Sequence, residues 1–194
     1  MTEIVVDGSL LFRFEATWSA IDWDKAGERP SGHKTADIAA AGTWALLIEV
    51  KDDRIKATKD HASRARTVRK ETFFDEVANK FRSSVEDLIA VAAGPRHAPF
   101  YKAFAEQWAR DERLLLLWWE LPPEPPSGSG TWDARWKQAL SARQNKLKQR
   151  LHGLTSRVRI ANQRFDAGVV PGMAVEDVVG GLGKRRQSLR RRGD

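Results

Sequence analysis

Residues 44–51, Trp-Ala-Leu-Leu-Ile-Glu-Val-Lys, constrain the fold more than any other stretch of the chain. They are almost continuously apolar and contain neither Pro nor Gly, the pattern of an interior strand covered on both faces. In an extended conformation Trp44, Leu46, Ile48 and Val50 point to one side, and Ala45, Leu47, Glu49 and Lys51 to the other. One face is wholly apolar, and the other turns ionic at one end. The chain has 194 residues, 41% of them apolar and 30% charged, which suits one domain of ordinary size and is too apolar for a disordered chain.

The surrounding sequence predicts an α/β domain. Ile4 to Val6 and Leu10 to Phe14 flank Asp7-Gly8, an opening hairpin, and residues 26–35 read as a loop. Asp37 to Ala40 and Trp44 to Lys51 flank Ala41-Gly42-Thr43 and form a second hairpin. From Thr72, a candidate cap, the period becomes helical. Phe74, Val77, Phe81, Val85 and Leu88 make one stripe that ends before Gly94-Pro95. A shorter helix is expected from Pro99 to Arg110 and a buried strand from Leu114 to Leu121, and the Pro- and Gly-rich residues 122–130 read as a loop. A basic helix spans 132–152, and Arg157 to Phe165 alternates like a strand near a sheet edge. The domain is expected to cover residues 1–167. Residues 168–194 read as a Gly-rich segment and a basic, flexible tail.

Charge and composition remove several classes of function. No apolar run approaches the roughly 18 residues of a membrane span, so no membrane partner is expected. The acidic first ten residues lack the basic start of a secretion signal. The absence of cysteine excludes disulfides, thiolate nucleophiles and zinc ribbons and fits a reducing cytoplasm. The four histidines lack zinc-site spacing, and there is no Gly-x-Ser-x-Gly elbow. Two basic stretches can meet phosphates. One lies just beyond Lys51 and includes Arg54, Lys56, Lys59 and Arg64; the other is the tail, with Lys184, Arg185, Arg186, Arg190, Arg191 and Arg192. Each reads equally as solvated charge. Trp132 and Trp136 lie one helical turn apart, as core residues or as a surface for bases or a partner.

An ionic strand end at the edge of a core costs several kcal/mol per ion, roughly, unless partners or a cation compensate. Asp37, on the preceding strand, faces the same side as Glu49 if three or five residues connect the two strands, and turns away if two or four do. Asp37, Glu49 and the Val50 carbonyl are an oxygen donor set suited to Mg²⁺ or Mn²⁺, with Lys51 one pleat away to orient a water or neutralise developing charge. Two carboxylates, a carbonyl and an amine are the parts needed for metal-assisted hydrolysis of a phosphodiester.

Asp37, eleven intervening residues, then Glu49-Val50-Lys51 at the end of an apolar strand, followed by a helix and another apolar strand, resembles the PD-(D/E)XK nuclease superfamily. The resemblance covers roughly residues 14–121, with Ala36 where the motif name has Pro. It implies a restriction-endonuclease-like core, a mixed β-sheet flanked by α-helices, with Asp37 and Glu49 as metal ligands and Lys51 acting with the attacking water. It further implies a polar side chain from the following helix, at Lys80, and an earlier acid at the metal, for which Asp24 is preferred over Asp22 and Glu15. The function expected is Mg²⁺- or Mn²⁺-dependent endonucleolytic cleavage, of DNA before RNA, with a protein partner or homodimer for targeting. Two competitors are a non-catalytic nucleic-acid-binding or assembly subunit, and a module whose tryptophans and tail dock another protein.

Overall fold

The computed structural model describes residues 1–7, 9–26, 30, 32–54, 71–94, 98–120 and 132–178. Two sheets and three helices make up the described fold. β1 (Thr2–Val6) and β2 (Leu10–Phe14) pair as the expected hairpin, with Asp7 in the left-handed region at φ 52°. β3 (Ser19–Asp22), β4 (Ile38–Ala41) and β5 (Ala45–Asp52) form an antiparallel meander. The chain then crosses through α1 (Glu71–Ala92) and α2 (Pro99–Ala109) to β6 (Arg113–Glu120), parallel to β5. α3 (Trp132–Arg150) returns it to β7 (Val158–Ala161), parallel to β6. β8 (Met173–Asp177) pairs with β2. The orders are β3-β4-β5-β6-β7 in the larger, mixed sheet and β1-β2-β8 in the smaller.

β5 is central and every residue of it except Lys51 is buried, as its apolar run demands. Its two faces supply two cores. Ala45 and Leu47 join Leu115, Leu117 and the α1 stripe of Phe74, Val77, Phe81, Val85 and Leu88. Leu46, Ile48 and Val50 join Phe12, Phe14, Leu116 and Trp118 beneath the small sheet. The mixed sheet is thus flanked by helices on one face, in line with the α/β reading, and the small sheet covers its other face.

Four details differ from or add to the sequence reading. β3 falls in a stretch without apolar alternation, with Ser19 exposed and its other residues half-buried. Thr72 stands inside α1, which already includes Glu71, so it is not the cap. The strand expected to run to Phe165 ends at Ala161, because Asn162 closes a turn: its Oδ1 accepts from the N–H groups of Arg164 (2.9 Å) and Phe165 (2.7 Å). Within the segment that begins at 168, Met173–Asp177 is β8, which completes the small sheet. The basic tail lies outside the described residues. Among the described residues no helix is long and apolar enough to cross a membrane.

Gly42 lies in the three-residue connection between β4 and β5, against the indole of Trp18. A Cβ there would stand 2.6 Å from Trp18 Cδ2. The indole cannot retreat easily, because Trp18 is buried and its Nε1 donates to the Pro171 carbonyl at 3.0 Å. Gly42→Ala is expected to lower stability by about 1–3 kcal/mol, read as a loss in thermal or urea midpoint. An unchanged midpoint would mean that the hairpin tip does not rest on Trp18.

Candidate active site

The β4–β5 hairpin sets the site. Residues 42–44 connect the strands; β4 pairs Ile38 with Ile48 and begins just after Asp37, which lies close enough to Glu49, Lys51 and Lys80 to feel their charges. Asp37 is fixed through its main chain. Its N–H donates to the Ile48 carbonyl (3.0 Å), and its own carbonyl accepts from the N–H groups of Trp23 (2.8 Å) and Asp24 (3.3 Å). Its Oδ2 accepts from the Val50 N–H at 2.6 Å. Backbone groups two residues apart on a strand share an edge, so the Val50 carbonyl faces the β4 side as that of Ile48 does. From α1, the Ser84 hydroxyl accepts the Ala36 N–H at 2.8 Å and holds the residue before Asp37. Ser84, fully buried and one turn beyond Lys80, is a positioning residue that no motif announces.

Glu49 has no exposed surface, and two ammonium groups meet it there. Lys80 Nζ reaches both carboxylate oxygens at 2.8 and 3.0 Å, and Lys51 Nζ lies 2.5 Å from Oε1. The side chains of Lys51 and Lys80 keep 25% and 21% of their surface, so the amines form the solvent-facing rim and the carboxylate its floor. Burial pushes the Asp37 carboxyl up to about 7, and the Glu49 charge adds to this against the opposing pull of the Val50 N–H and the two lysines. Burial works against the Lys80 ammonium, but the Glu49 carboxylate more than offsets it and leaves the Lys80 pKa raised.

This carries a pH signature. Asp37 in the folded chain binds its proton more tightly than an ordinary carboxylate of pKa 3.8, so stability present at low pH is lost as pH rises toward about 7. Metal-free Asp37→Asn keeps an oxygen for the Val50 N–H and has no charge to bury. It is expected to be more stable than the unsubstituted chain at pH 8, by on the order of 2 kcal/mol, with the gap closing by about pH 4. Thermal melts across that range measure it; a gap independent of pH would contradict the burial of the Asp37 charge.

Among the described residues no group of three or more His, Cys, Asp or Glu side chains comes together as a metal site. The donor set available to a cation is therefore the facing pair Asp37 and Glu49 with the Val50 carbonyl. Such a set fits Mg²⁺ or Mn²⁺, which commonly take one or two carboxylates and leave other positions to water and phosphate. The two carboxylates lie near each other, and Asp37 is held above its normal pKa by burial first and by the Glu49 charge second. Asp24 comes to the site through its main chain, and its charge acts on Lys80, without joining the pair in a three-acid cluster.

The residues expected to meet nucleic acid fare differently. Arg54 is committed to the fold: its Nε and Nη2 donate to Asp52 at 3.0 and 2.8 Å, and its Nη1 to Asp177 at 2.9 Å. Asp52 also accepts from Ser9 Oγ at 2.9 Å. These bonds clamp the end of β5 to the small sheet, on the side away from Glu49. Lys56, Lys59, Arg64, Lys184, Arg185, Arg186, Arg190, Arg191 and Arg192 lie outside the described residues. Trp136 packs against the helix-side core and receives the guanidinium of Arg143 at 5.2 Å.

Comparison of the chain with protein-family models, with curated proteins and with solved structures finds no match.

Proposed function

We propose that the chain is a Mg²⁺- or Mn²⁺-dependent endonuclease with a restriction-endonuclease-like core, hydrolysing phosphodiester bonds in DNA before RNA. The observation that carries this reading is the meeting of Asp37, from the edge of β4, with Glu49 and Lys51 of β5 and Lys80 of α1 in one part-buried cluster. The antiparallel meander followed by helices and a parallel strand agrees with the architecture implied by the resemblance.

Asp37, Glu49 and the Val50 carbonyl would hold the ion. When bound, a divalent cation of this kind polarises a phosphodiester oxygen and lowers the pKa of a water. Lys51, on the open rim, orients the attacking water and neutralises charge gathering on the phosphoryl oxygens. Lys80, which reaches both oxygens of the same carboxylate, holds Glu49 in place. In-line attack on phosphorus expels the 3′ oxygen. A cysteine-free chain suits a reducing cytoplasm, and a protein partner or second copy supplies targeting.

Purified protein is expected to bind Mn²⁺, seen by titration calorimetry, and to nick supercoiled plasmid with Mg²⁺ or Mn²⁺, with chelator stopping the reaction. Folded protein that neither binds Mn²⁺ nor cuts plasmid or short oligonucleotides overturns the reading. Salt-dependent retention of DNA without cutting points instead to a binding subunit.

A further inference from the structure

Among the described residues the positive charge is concentrated in one structural unit. Residues 132–164, which hold α3 and β7, carry nine basic residues against a single acid, Asp133, whereas the whole chain is only +7. All other residues together are therefore slightly acidic. Arg150 pairs with Asp75 at 2.5 Å, and Arg143 stacks on Trp119 and Trp136. Lys137, Arg157, Arg159 and Arg164 are exposed.

Two adjoining grooves run along this unit. One, of about 430 Å³, lies between α3 and β7 with Lys137, Ser141 and Arg164 on its walls; the other, of about 540 Å³, adds Arg159 and the main chain near Gly168. Both include Gln144 and one carboxylate, Asp166. Lys137 and Arg164 lie over the same ring, Phe165, at 5.9 and 6.0 Å, which supports both cations from below. β7 is an edge strand, but Gln144 Oε1 already accepts the Ile160 N–H at 3.0 Å, so the edge is blocked to an added peptide strand. The grooves offer cations and hydroxyl or amide donors, the groups that hold phosphates.

Their position matters. Ile160 pairs with Leu117, and Leu117 with Glu49, so the groove stands level with the carboxylates at two strand spacings, about 10 Å. Along duplex DNA that is about three base steps.

We infer that the α3–β7 grooves, rimmed by Lys137, Arg159 and Arg164, form a surface that holds the phosphate backbone of duplex DNA a few base steps from the bond cut at Asp37 and Glu49. Only the location of that bond rests on the nuclease reading; binding itself does not.

The test uses the full chain carrying Asp37→Asn, free of metal, with a fluorescent 30-base-pair duplex, and follows anisotropy against salt. Lys137→Gln, Arg159→Gln and Arg164→Gln combined are expected to weaken binding at least about tenfold at 0.1 M salt and to reduce the log–log salt slope by about 2–3. Lys102→Gln on α2, combined with Arg110→Gln just after it, should change neither. A triple variant of unchanged melting temperature that binds with the original affinity and slope overturns the surface. So does loss confined to single-stranded DNA. Displacement of the duplex by poly-glutamate at equal charge assigns the surface to an acidic protein and overturns it too. If the triple variant loses binding while the chain with Asp37 intact never cuts, the nuclease reading fails and this surface stands. If cutting occurs and the triple variant binds normally, only the surface fails.

Discussion

Asp37→Asn is expected to fold at least as well as the unsubstituted chain and to cut DNA about a thousandfold more slowly or worse. The two effects separate because Asp37 has two tasks. Structurally it accepts the Val50 N–H, which an amide oxygen also does, and the amide removes a charge that burial and Glu49 both oppose. Chemically it is, on the proposed reading, one of the two carboxylates among the described residues that would hold the cation, and an amide is a poor replacement. Nicking rates with Mg²⁺, measured beside a melting curve at pH 8, show both. A stable variant that cuts at the original rate would remove Asp37 from the chemistry.

Glu49→Gln should lose cleavage to the same degree but, unlike Asp37→Asn, should also lower stability. Lys51 and Lys80 both rely on the Glu49 carboxylate, and removing it leaves two ammonium groups without that partner at the edge of the core. Because each keeps between a fifth and a quarter of its surface, the cost is discounted to roughly 1–3 kcal/mol. Adding Lys80→Met to Glu49→Gln should recover part of that stability and none of the cleavage, as a double-mutant cycle measures. If Glu49→Gln melts as the unsubstituted chain does, the two amines do not depend on Glu49.

The parts of this fold that are legible in the sequence are those with strong local periodicity. The stripe from Phe74 to Leu88 repeats as a helix must, and 44–51 is too apolar to lie anywhere but inside. β3 and β8 were not legible because edge strands are defined by the neighbour they bond to. Ser19–Asp22 has no fully buried residue, and Met173–Asp177 has only Met173. The same division runs through the site. Asp37 and Glu49 follow from strand parity and a connection of three residues. The bond of Ser84 to Ala36 and that of Arg54 to Asp177 join residues 48 and 123 apart, which no local pattern encodes. The basic character of residues 132–152 and of β7 was readable in each, but only their packing side by side makes one surface.

β2 receives its second neighbour very late in the chain. Arg13 of β2 bonds Glu176 of β8, 163 residues downstream, and Leu10 pairs with Asp177. As the polypeptide leaves the ribosome, Asp37, Glu49, Lys51 and Lys80 are all made early, yet the layer behind Val50 stays open along one edge until residue 177 has emerged. Closing so long a loop is slow. A chain that has emerged only as far as α3 thus carries all four of these side chains without the strand that completes the layer behind β5.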